Sequence, residues 1–193
     1  IMAPVNLAVT YDCMDISLTW EMPAGAAPDS WNVYRDGELM GNVTTMSHTD
    51  TLMMPVTEYC YVVTALYGGT ESIPAGPECM TLPMPEDITP TELESIVNAP
   101  DGDNITLNWT APTGCIEAEG YNVYRDSILI NQELLTEPSY IDTLPETGTY
   151  LYAVSAVYYF GEMFTDTTSV YILIVGMDDH YSGELRIFPN PAS

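Results

Sequence analysis

The chain has 193 residues, 46% of them hydrophobic, and carries 28 acidic residues against three arginines and no lysine, for a formal net charge of −25. Nucleic acids and anionic lipid surfaces are excluded as partners, because both are bound through clustered cations. No apolar run approaches the ~18 residues that a membrane span needs, so we expect no membrane insertion.

The first half consists of short runs of alternating polarity, rich in Val, Ile, Thr and Tyr and separated by Pro, Gly, Asp and Asn. This spacing is typical of an all-β sandwich, and no segment of about ten or more residues has a helical period. The predicted strands are Asn6–Val9, Ile16–Trp20, Trp31–Arg35, Glu38–Val43, His48–Thr51, Glu58–Leu66 and Glu78–Leu82.

The second half repeats the first. The stretch W-N-V-Y-R-D at Trp31–Asp36 returns as Y-N-V-Y-R-D at Tyr121–Asp126, and the pattern closed by Trp20 returns with Trp109. A self-similarity of this length indicates two copies of one structural unit. We therefore predict one domain at residues 1–82 and a second at 91–176.

A short linker separates the two copies. Residues 83–90 contain three prolines, Pro83, Pro85 and Pro90. Proline-rich linkers are extended and semi-rigid, so the domains should sit end to end with limited swing.

Several motifs together resemble the fibronectin type III family. They are Pro4-x-x-Leu7, the strand ending in Trp20, the Y-x-V-x-R pattern and the alternation that begins at Tyr59, and the second half repeats them. The resemblance implies two tandem immunoglobulin-like (fibronectin type III) seven-stranded β-sandwiches. It also implies that Trp20 and Trp109 are buried core residues of the second strand.

The tail at residues 177–193 differs from both copies and ends in F-P-N-P-A-S. It is similar to the opening of the C-terminal sorting domain of proteins exported by the type IX secretion system of the Bacteroidota. With no signal peptide at Ile1, we interpret the chain as a fragment of a larger secreted or cell-surface bacterial protein.

Four cysteines without C-x-x-C spacing argue against a zinc site, and disulfides are the default in an exported protein. Alternation along Glu58–Leu66 points Cys60 outward. An antiparallel hairpin that turns in Gly68–Glu71 would pair Cys60 with Cys79, and the spacer modules of gingipain-type adhesins look alike here. Cys13 and Cys115 then lie in loops on either side of the linker. They are either an inter-domain disulfide or two free or separately used thiols.

No set of residues predicts catalysis, a bound cofactor or a metal site. His48 lies in a strand whose counterpart has Tyr140, which favours packing, and His180 lies in the tail with too few ligands beside it. The pair Gly68-Gly69 is a hairpin turn without a following helix, so it does not cradle phosphate. We expect the chain not to be an enzyme.

Two surface features are candidates for recognition. The outward residues of two adjacent strands in the second copy, Tyr124, Leu151, Ala153 and Val157, form a mildly apolar face that could receive a partner. Asp-Thr-Leu at 50–52 and 142–144, Asp-Ser-Ile at 126–128 and Asp-Thr-Thr at 166–168 are similar to the triplets that carry O-glycans in exported Bacteroidota proteins. The repeat of one fold explains the triplets equally well.

The sequence therefore predicts a non-catalytic spacer and adhesion segment. The alternatives are an ancillary stalk of a secreted peptidase or glycosidase, and a carbohydrate- or protein-binding module. The expected partner is a protein or glycan ligand at the cell surface, and the fragment itself is expected to be monomeric.

Overall fold

The computed structural model describes residues 1–98 and 103–173. Within these ranges all the regular structure is β-strand. The predicted tail at 177–193, with His180 and the sorting-domain motif, lies outside the described residues.

The first half folds into eight strand segments, which we call module one. Three of them form one sheet in the order β1-β2-β5, and β4, β3 and β6 form the other. Both β7 and β8 pair with β6, so together they make a seventh strand that is interrupted at residues 72–74. The segments are β1 (Val5–Asp12), β2 (Asp15–Glu21), β3 (Ser30–Arg35), β4 (Glu38–Val43), β5 (Ser47–Asp50), β6 (Glu58–Tyr67), β7 (Thr70–Glu71) and β8 (Ala75–Thr81).

The second half repeats this order and is called module two. Its sheets are β13-β10-β9 and β12-β11-β14, with β15 and β16 both on the far side of β14. The segments are β9 (Thr91–Asn98), β10 (Asn104–Thr110), β11 (Gly120–Arg125), β12 (Ile128–Leu129), β13 (Ser139–Thr143), β14 (Gly148–Tyr158), β15 (Gly161–Phe164) and β16 (Thr168–Ile172).

Each module is thus a sandwich of a three-stranded and a four-stranded antiparallel sheet, once the two interrupted segments are taken as one strand. This is the immunoglobulin-like arrangement of fibronectin type III sandwiches, so the predicted fold class is confirmed. The strand Glu38–Val43 has the predicted bounds. The last predicted strand of module one ends earlier, at Thr81, because Leu82 turns its side chain fully into the core and donates its N–H to the carbonyl of Thr57.

Each module has its own core, built from alternate residues of facing strands. Trp20 and Trp109 are only 3% and 5% exposed, as the resemblance implied. Each packs edge-on against the first residue of the repeated six-residue stretch, Trp31 at 6.0 Å between ring centroids and Tyr121 at 5.3 Å. An aromatic residue opens the stretch in both copies because it fills the space beside that tryptophan.

The arginine of the repeated stretch crosses from one sheet to the other. Arg35 Nη1 lies 2.6 Å from the carboxylate of Asp50 on β5, and Tyr61 on β6 donates its hydroxyl to the same oxygen at 2.9 Å. This Arg–Asp–Tyr network recurs in module two as Arg125, Asp142 and Tyr152, at 2.7 Å for both contacts.

Burial of the two tyrosines strengthens the network. The pKa values of Tyr61 and Tyr152 are raised well above the usual range, first by burial and then by the hydrogen bonds to the aspartates. Both phenols therefore stay neutral and remain donors. The aspartates of the two Asp-Thr-Leu triplets, Asp50 and Asp142, thus have the same structural role in both modules.

The network makes a prediction for stability. Replacing Arg125 by methionine keeps the apolar stem but leaves the carboxylate of Asp142 buried without its cation. We expect Arg125→Met to lower the free energy of unfolding of module two by about 2 to 3 kcal/mol, below the value for a fully buried pair because the arginine side chain is 25% exposed. Urea denaturation measures this value.

The matched control is Glu94→Gln, an exposed charge on β9 of the same module. It should change the unfolding free energy by less than about 0.5 kcal/mol. An Arg125→Met variant as stable as this control would contradict a stabilising role for the network.

Candidate functional site

The cysteines form two disulfides in the structure. Cys60 and Cys79 face each other on β6 and β8, with their sulfurs 2.01 Å apart and their Cα atoms 4.0 Å apart. The backbone N–H of Cys60 donates to the carboxylate of Asp36, and its carbonyl accepts from the N–H of Asp36, so both groups point away from Cys79. The two cysteines therefore form a non-hydrogen-bonded pair, where antiparallel strands approach most closely.

The second disulfide joins the two modules. Cys13 lies in the turn between β1 and β2, and Cys115 in the loop between β10 and β11. Their sulfurs are 2.05 Å apart and their Cα atoms 5.7 Å apart. Of the two alternatives left open by the sequence, the structure contains the inter-module bond.

Aromatic side chains surround this bond at the module junction. Tyr159, in the turn between β14 and β15, donates its hydroxyl to the carbonyl of Met53 in module one at 2.7 Å. Phe160 and Ile116 pack against the cores of both modules. Burial raises the pKa of Tyr159, and Asp15 and Tyr59 of module one add to the shift. The modules therefore share a packed interface rather than a single covalent tether.

The linker is bound to module two. The N–H groups of Thr113 and Gly114 donate to the carbonyl of Asp87 at 3.2 and 2.9 Å, and the hydroxyl of Tyr158 donates to the carbonyl of Ile88 at 2.9 Å. A Cβ atom on Gly114 would lie 2.4 Å from the carbonyl oxygen of Glu86, so only glycine fits this approach. Hydrogen bonds fix the linker in addition to its prolines.

A cluster of polar groups recurs on the outer face of the four-stranded sheet. In module one, Glu71 accepts hydrogen bonds from Asn32 at 2.9 Å, from Tyr34 at 2.7 Å and from Thr64. In module two, Glu162 takes the same place and accepts from Asn122, Tyr124 and Ser155 at 3.2, 2.8 and 2.6 Å. We call each arrangement a carboxylate cluster.

Hydrogen bonding keeps the first of these carboxylates charged. The hydrogen bond from Thr64, followed by those from Tyr34 and Asn32, lowers the pKa of Glu71 below its usual value. The hydrogen bond to Glu71 raises the pKa of Tyr34, and burial, followed by the hydrogen bond to Glu162, raises that of Tyr124. These tyrosines are thus neutral donors at ordinary pH.

Beside the cluster of module two lies a cavity of about 310 Å³. Three of the four residues proposed for the partner-binding face, Tyr124, Leu151 and Ala153, line it. Val157 does not, because it lies further along β14, where it pairs with Glu162. Phe164 completes the lining, with its ring 5.3 Å from that of Tyr124.

Sequence reasoning missed the residues on the last strand of each sandwich. Glu71 and Glu162 are two of 28 acidic residues, and nothing in their local pattern distinguishes them. The repeat itself was a usable signal, because the two glutamates occupy equivalent positions. Glu71 pairs with the end of β6 in module one, and Glu162 pairs with the end of β14 in module two. Phe164 was missed because the sequence does not show the interruption of this strand.

The remaining candidates have structural positions. His48 is half-buried on β5 opposite Leu18, and Gly68 and Gly69 have the positive φ values of a tight hairpin turn. Among residues 1–98 and 103–173, no group of three or more His, Cys, Asp or Glu side chains could hold a metal ion. No helix in this part of the chain is long and apolar enough to cross a membrane.

Three curated proteins are similar to segments of this chain. Exoglucanase B of Cellulomonas fimi is 31% identical over 147 residues, which are 72% of this chain and 13% of that protein. The tail tube protein gp17.1* of Bacillus phage SPP1 is 43% identical over 36% of this chain and 26% of its own length. A poly(3-hydroxybutyrate) depolymerase of Ralstonia pickettii is 40% identical over 33% of this chain and 13% of its own.

This chain therefore spans about an eighth to a quarter of the length of the curated relatives it matches. No protein-family model matches it. Among solved structures, a two-domain fibronectin type III segment of chicken tenascin is 18% identical, with a TM-score of 0.40, over 90% of this chain and all of that one. The family 28 exopolygalacturonase of Yersinia enterocolitica is 20% identical, with a TM-score of 0.40, over 46% and 22%. The strand order, not these likenesses, establishes the fold.

The carboxylate cluster predicts a pH dependence. Because the folded-state pKa of Glu71 is lowered, its contribution to stability is present above the unfolded-state pKa of about 4.3 and is lost as pH falls through the folded-state pKa. Thr64→Val removes the donor with the largest effect, so we expect the pKa of Glu71 to rise. Titration of the Glu71 side-chain carboxyl by carbon NMR measures this shift.

The control is Thr110→Val, which removes a hydroxyl that donates to Glu92 in module two. It should leave the pKa of Glu71 unchanged. If Thr64→Val also leaves it unchanged, the hydrogen bond does not act as described.

Proposed function

We propose that this chain is a rigid, non-catalytic spacer and adhesion segment of a larger secreted or cell-surface protein. The observation that carries the proposal is the module junction, where the Cys13–Cys115 bond, the Tyr159 hydrogen bond and the packing of Phe160 act together. A spacer holds its neighbours at a fixed distance and angle only if its own modules do not swing.

The energetics of the junction support this role. In the chain-entropy model, a bond between residues separated by 102 positions disfavours the unfolded chain by roughly 4 to 5 kcal/mol. The part-buried hydrogen bond from Tyr159 to Met53 adds up to about 1 kcal/mol to that. Disulfides persist in oxidising compartments, which supports a location outside the cytoplasm.

The similar proteins also favour a non-catalytic role within a larger protein. The similar segments belong to an exoglucanase, a phage tail tube protein and a depolymerase, whose names denote different tasks. A module that recurs among such different proteins is more readily explained by a mechanical or binding task than by one reaction.

A second candidate is the ancillary part of a secreted glycosidase. It is favoured by the similarity to Exoglucanase B, which extends over 72% of this chain. If this ancillary segment binds cellulose, the isolated chain should co-sediment with microcrystalline cellulose, and free cello-oligosaccharide should release it. Retention of all the protein in the supernatant would contradict a cellulose-binding role and leave the spacer role.

For residues 177–193, we propose the beginning of a type IX sorting domain, on the strength of the ending F-P-N-P-A-S. In that case the parent protein is exported by a member of the Bacteroidota and is released or anchored at the cell surface. Deletion of the segment from the parent protein should retain it in the periplasm. Unchanged export after the deletion would contradict the proposal.

The spacer role makes a prediction about motion. Replacing both Cys13 and Cys115 by serine should leave each module folded but increase the swing between them. We expect the residual dipolar couplings of the two modules to fit one alignment tensor in the native chain and to require two in the double variant.

The other disulfide provides a matched control, since Cys60→Ser with Cys79→Ser removes a bond within module one. This control should keep one common tensor. If the Cys13 and Cys115 variant also keeps one tensor, the disulfide is not what holds the junction. If the native chain already needs two, the rigid spacer is wrong.

A further inference from the structure

A long groove crosses the outer face of module two. The cavity of about 310 Å³ beside Tyr124 and a second one of about 400 Å³ both contain Phe164 and Thr167 in their walls. The second cavity continues to the start of β9, where Thr91, Glu92 and Leu93 line it. The two cavities are therefore adjacent, and together they are called the groove.

The groove exists because the last strand is interrupted. Between β15 and β16 the chain leaves β14, and the side chain and backbone of Thr165 satisfy the backbone groups of Val154 at 3.1 and 2.8 Å. Both backbone groups of Val154 are therefore already paired. A ligand in this groove would therefore contact side chains rather than extend the sheet.

The floor of the groove is aromatic and apolar. Phe164 is 50% exposed and Leu151 43%, beside the half-buried Tyr124 and Ala153. The rings of Tyr124 and Phe164 are tilted at 50° to each other. An exposed phenylalanine ring beside a half-buried tyrosine ring can accept a planar cation against its face.

The rim is acidic and has no cation to balance it. Glu162 lies under the hydroxyl of Tyr124, and Asp166 and Glu92 line the second half. Within residues 1–98 and 103–173, the chain has two arginines, and each is paired with an aspartate, Arg35 with Asp50 and Arg125 with Asp142. The groove therefore has a negative potential that the described part of the protein does not neutralise.

We propose that this groove binds an extended basic segment of a partner protein, in which arginine side chains alternate with apolar ones. Guanidinium groups would stack on Tyr124 and Phe164 and pair with the rim carboxylates, while apolar side chains would cover Leu151 and Ala153. A second copy of this chain is a poor occupant, because each copy has a net charge of −25. The proposal rests on the adhesion part of the proposed function.

Module one has the same framework and a cavity of about 300 Å³ at the equivalent place, lined by Tyr34, Val62 and Glu71, but it differs in the residues around that cavity. At the positions of Leu151 and Ser169, which pair across β14 and β16, it has the Cys60–Cys79 disulfide. At the position of Phe164, after β7, it has Ile73, which is 77% exposed. Module one thus supplies a matched control within the same molecule.

The test uses the full chain and a short fluorescein-labelled peptide of alternating arginine and valine. Fluorescence anisotropy should show binding that weakens as the ionic strength rises from about 0.01 to 0.1 M, because salt screens the rim charges. A twin peptide with glutamine in place of arginine should bind at least about tenfold more weakly, since it can neither stack as a cation nor pair with the carboxylates.

Variants locate the site. Phe164→Ala should weaken binding about fivefold and Asp166→Asn about twofold, whereas Ile73→Ala in module one should leave it unchanged. Because Asp166 is exposed, we expect Asp166→Asn to fold even if Phe164→Ala does not, so the site can still be tested. Equal binding of the glutamine peptide, displacement of the peptide by cello-oligosaccharide, or equal effects of Phe164→Ala and Ile73→Ala would each overturn the proposal. The alignment-tensor measurement would still report independently on the spacer role.

Discussion

The covalent bond between Cys13 and Cys115 is the constraint on which the arrangement of the two modules depends. It joins the first turn of module one to a loop of module two and closes a long stretch of chain that contains the whole linker. With these loops held together, Tyr159 can reach the carbonyl of Met53, and Phe160 can contribute to both cores. Small interfaces between domains normally permit motion, and a covalent bond across such an interface restricts it.

The distribution of charge follows from a second constraint. Both arginines in residues 1–98 and 103–173 cross the sandwich interior to an aspartate, and a buried tyrosine completes each network. The interior therefore takes up the positive charge of the described chain and leaves the outer surface acidic. The same geometry makes the outer face of the four-stranded sheet the place where a basic partner would be attracted.

The duplication shows which features serve the fold and which do not. The arginine network and the carboxylate cluster are present in both modules, so they belong to the shared framework. The cavity of about 310 Å³ in module two has Phe164 in its wall, whereas the equivalent cavity of about 300 Å³ in module one lies on a sheet that carries the Cys60–Cys79 bond and has Ile73 at the position of Phe164. Two copies of one sandwich have thus been given different outer faces.

Much of the fold could be predicted from the sequence because alternation along a strand directly reflects burial. The bounds of Glu38–Val43 and the pairing of Cys60 with Cys79 followed from alternation and from the position of the hairpin turn. The interrupted last strand could not be predicted, because the break at Thr165 is stabilised by a tertiary contact with Val154. For the same reason, Phe164 could not be predicted as part of the candidate face.

The most direct test of a rigid two-module segment is the disulfide map of the unreduced native chain. Because the chain has three arginines, no lysine and 28 acidic residues, digestion with an endopeptidase that cleaves after acidic residues is suitable. Mass spectrometry should recover a peptide containing Cys13 covalently linked to one containing Cys115. Recovery of Cys13 as an alkylated peptide without prior reduction would contradict the account.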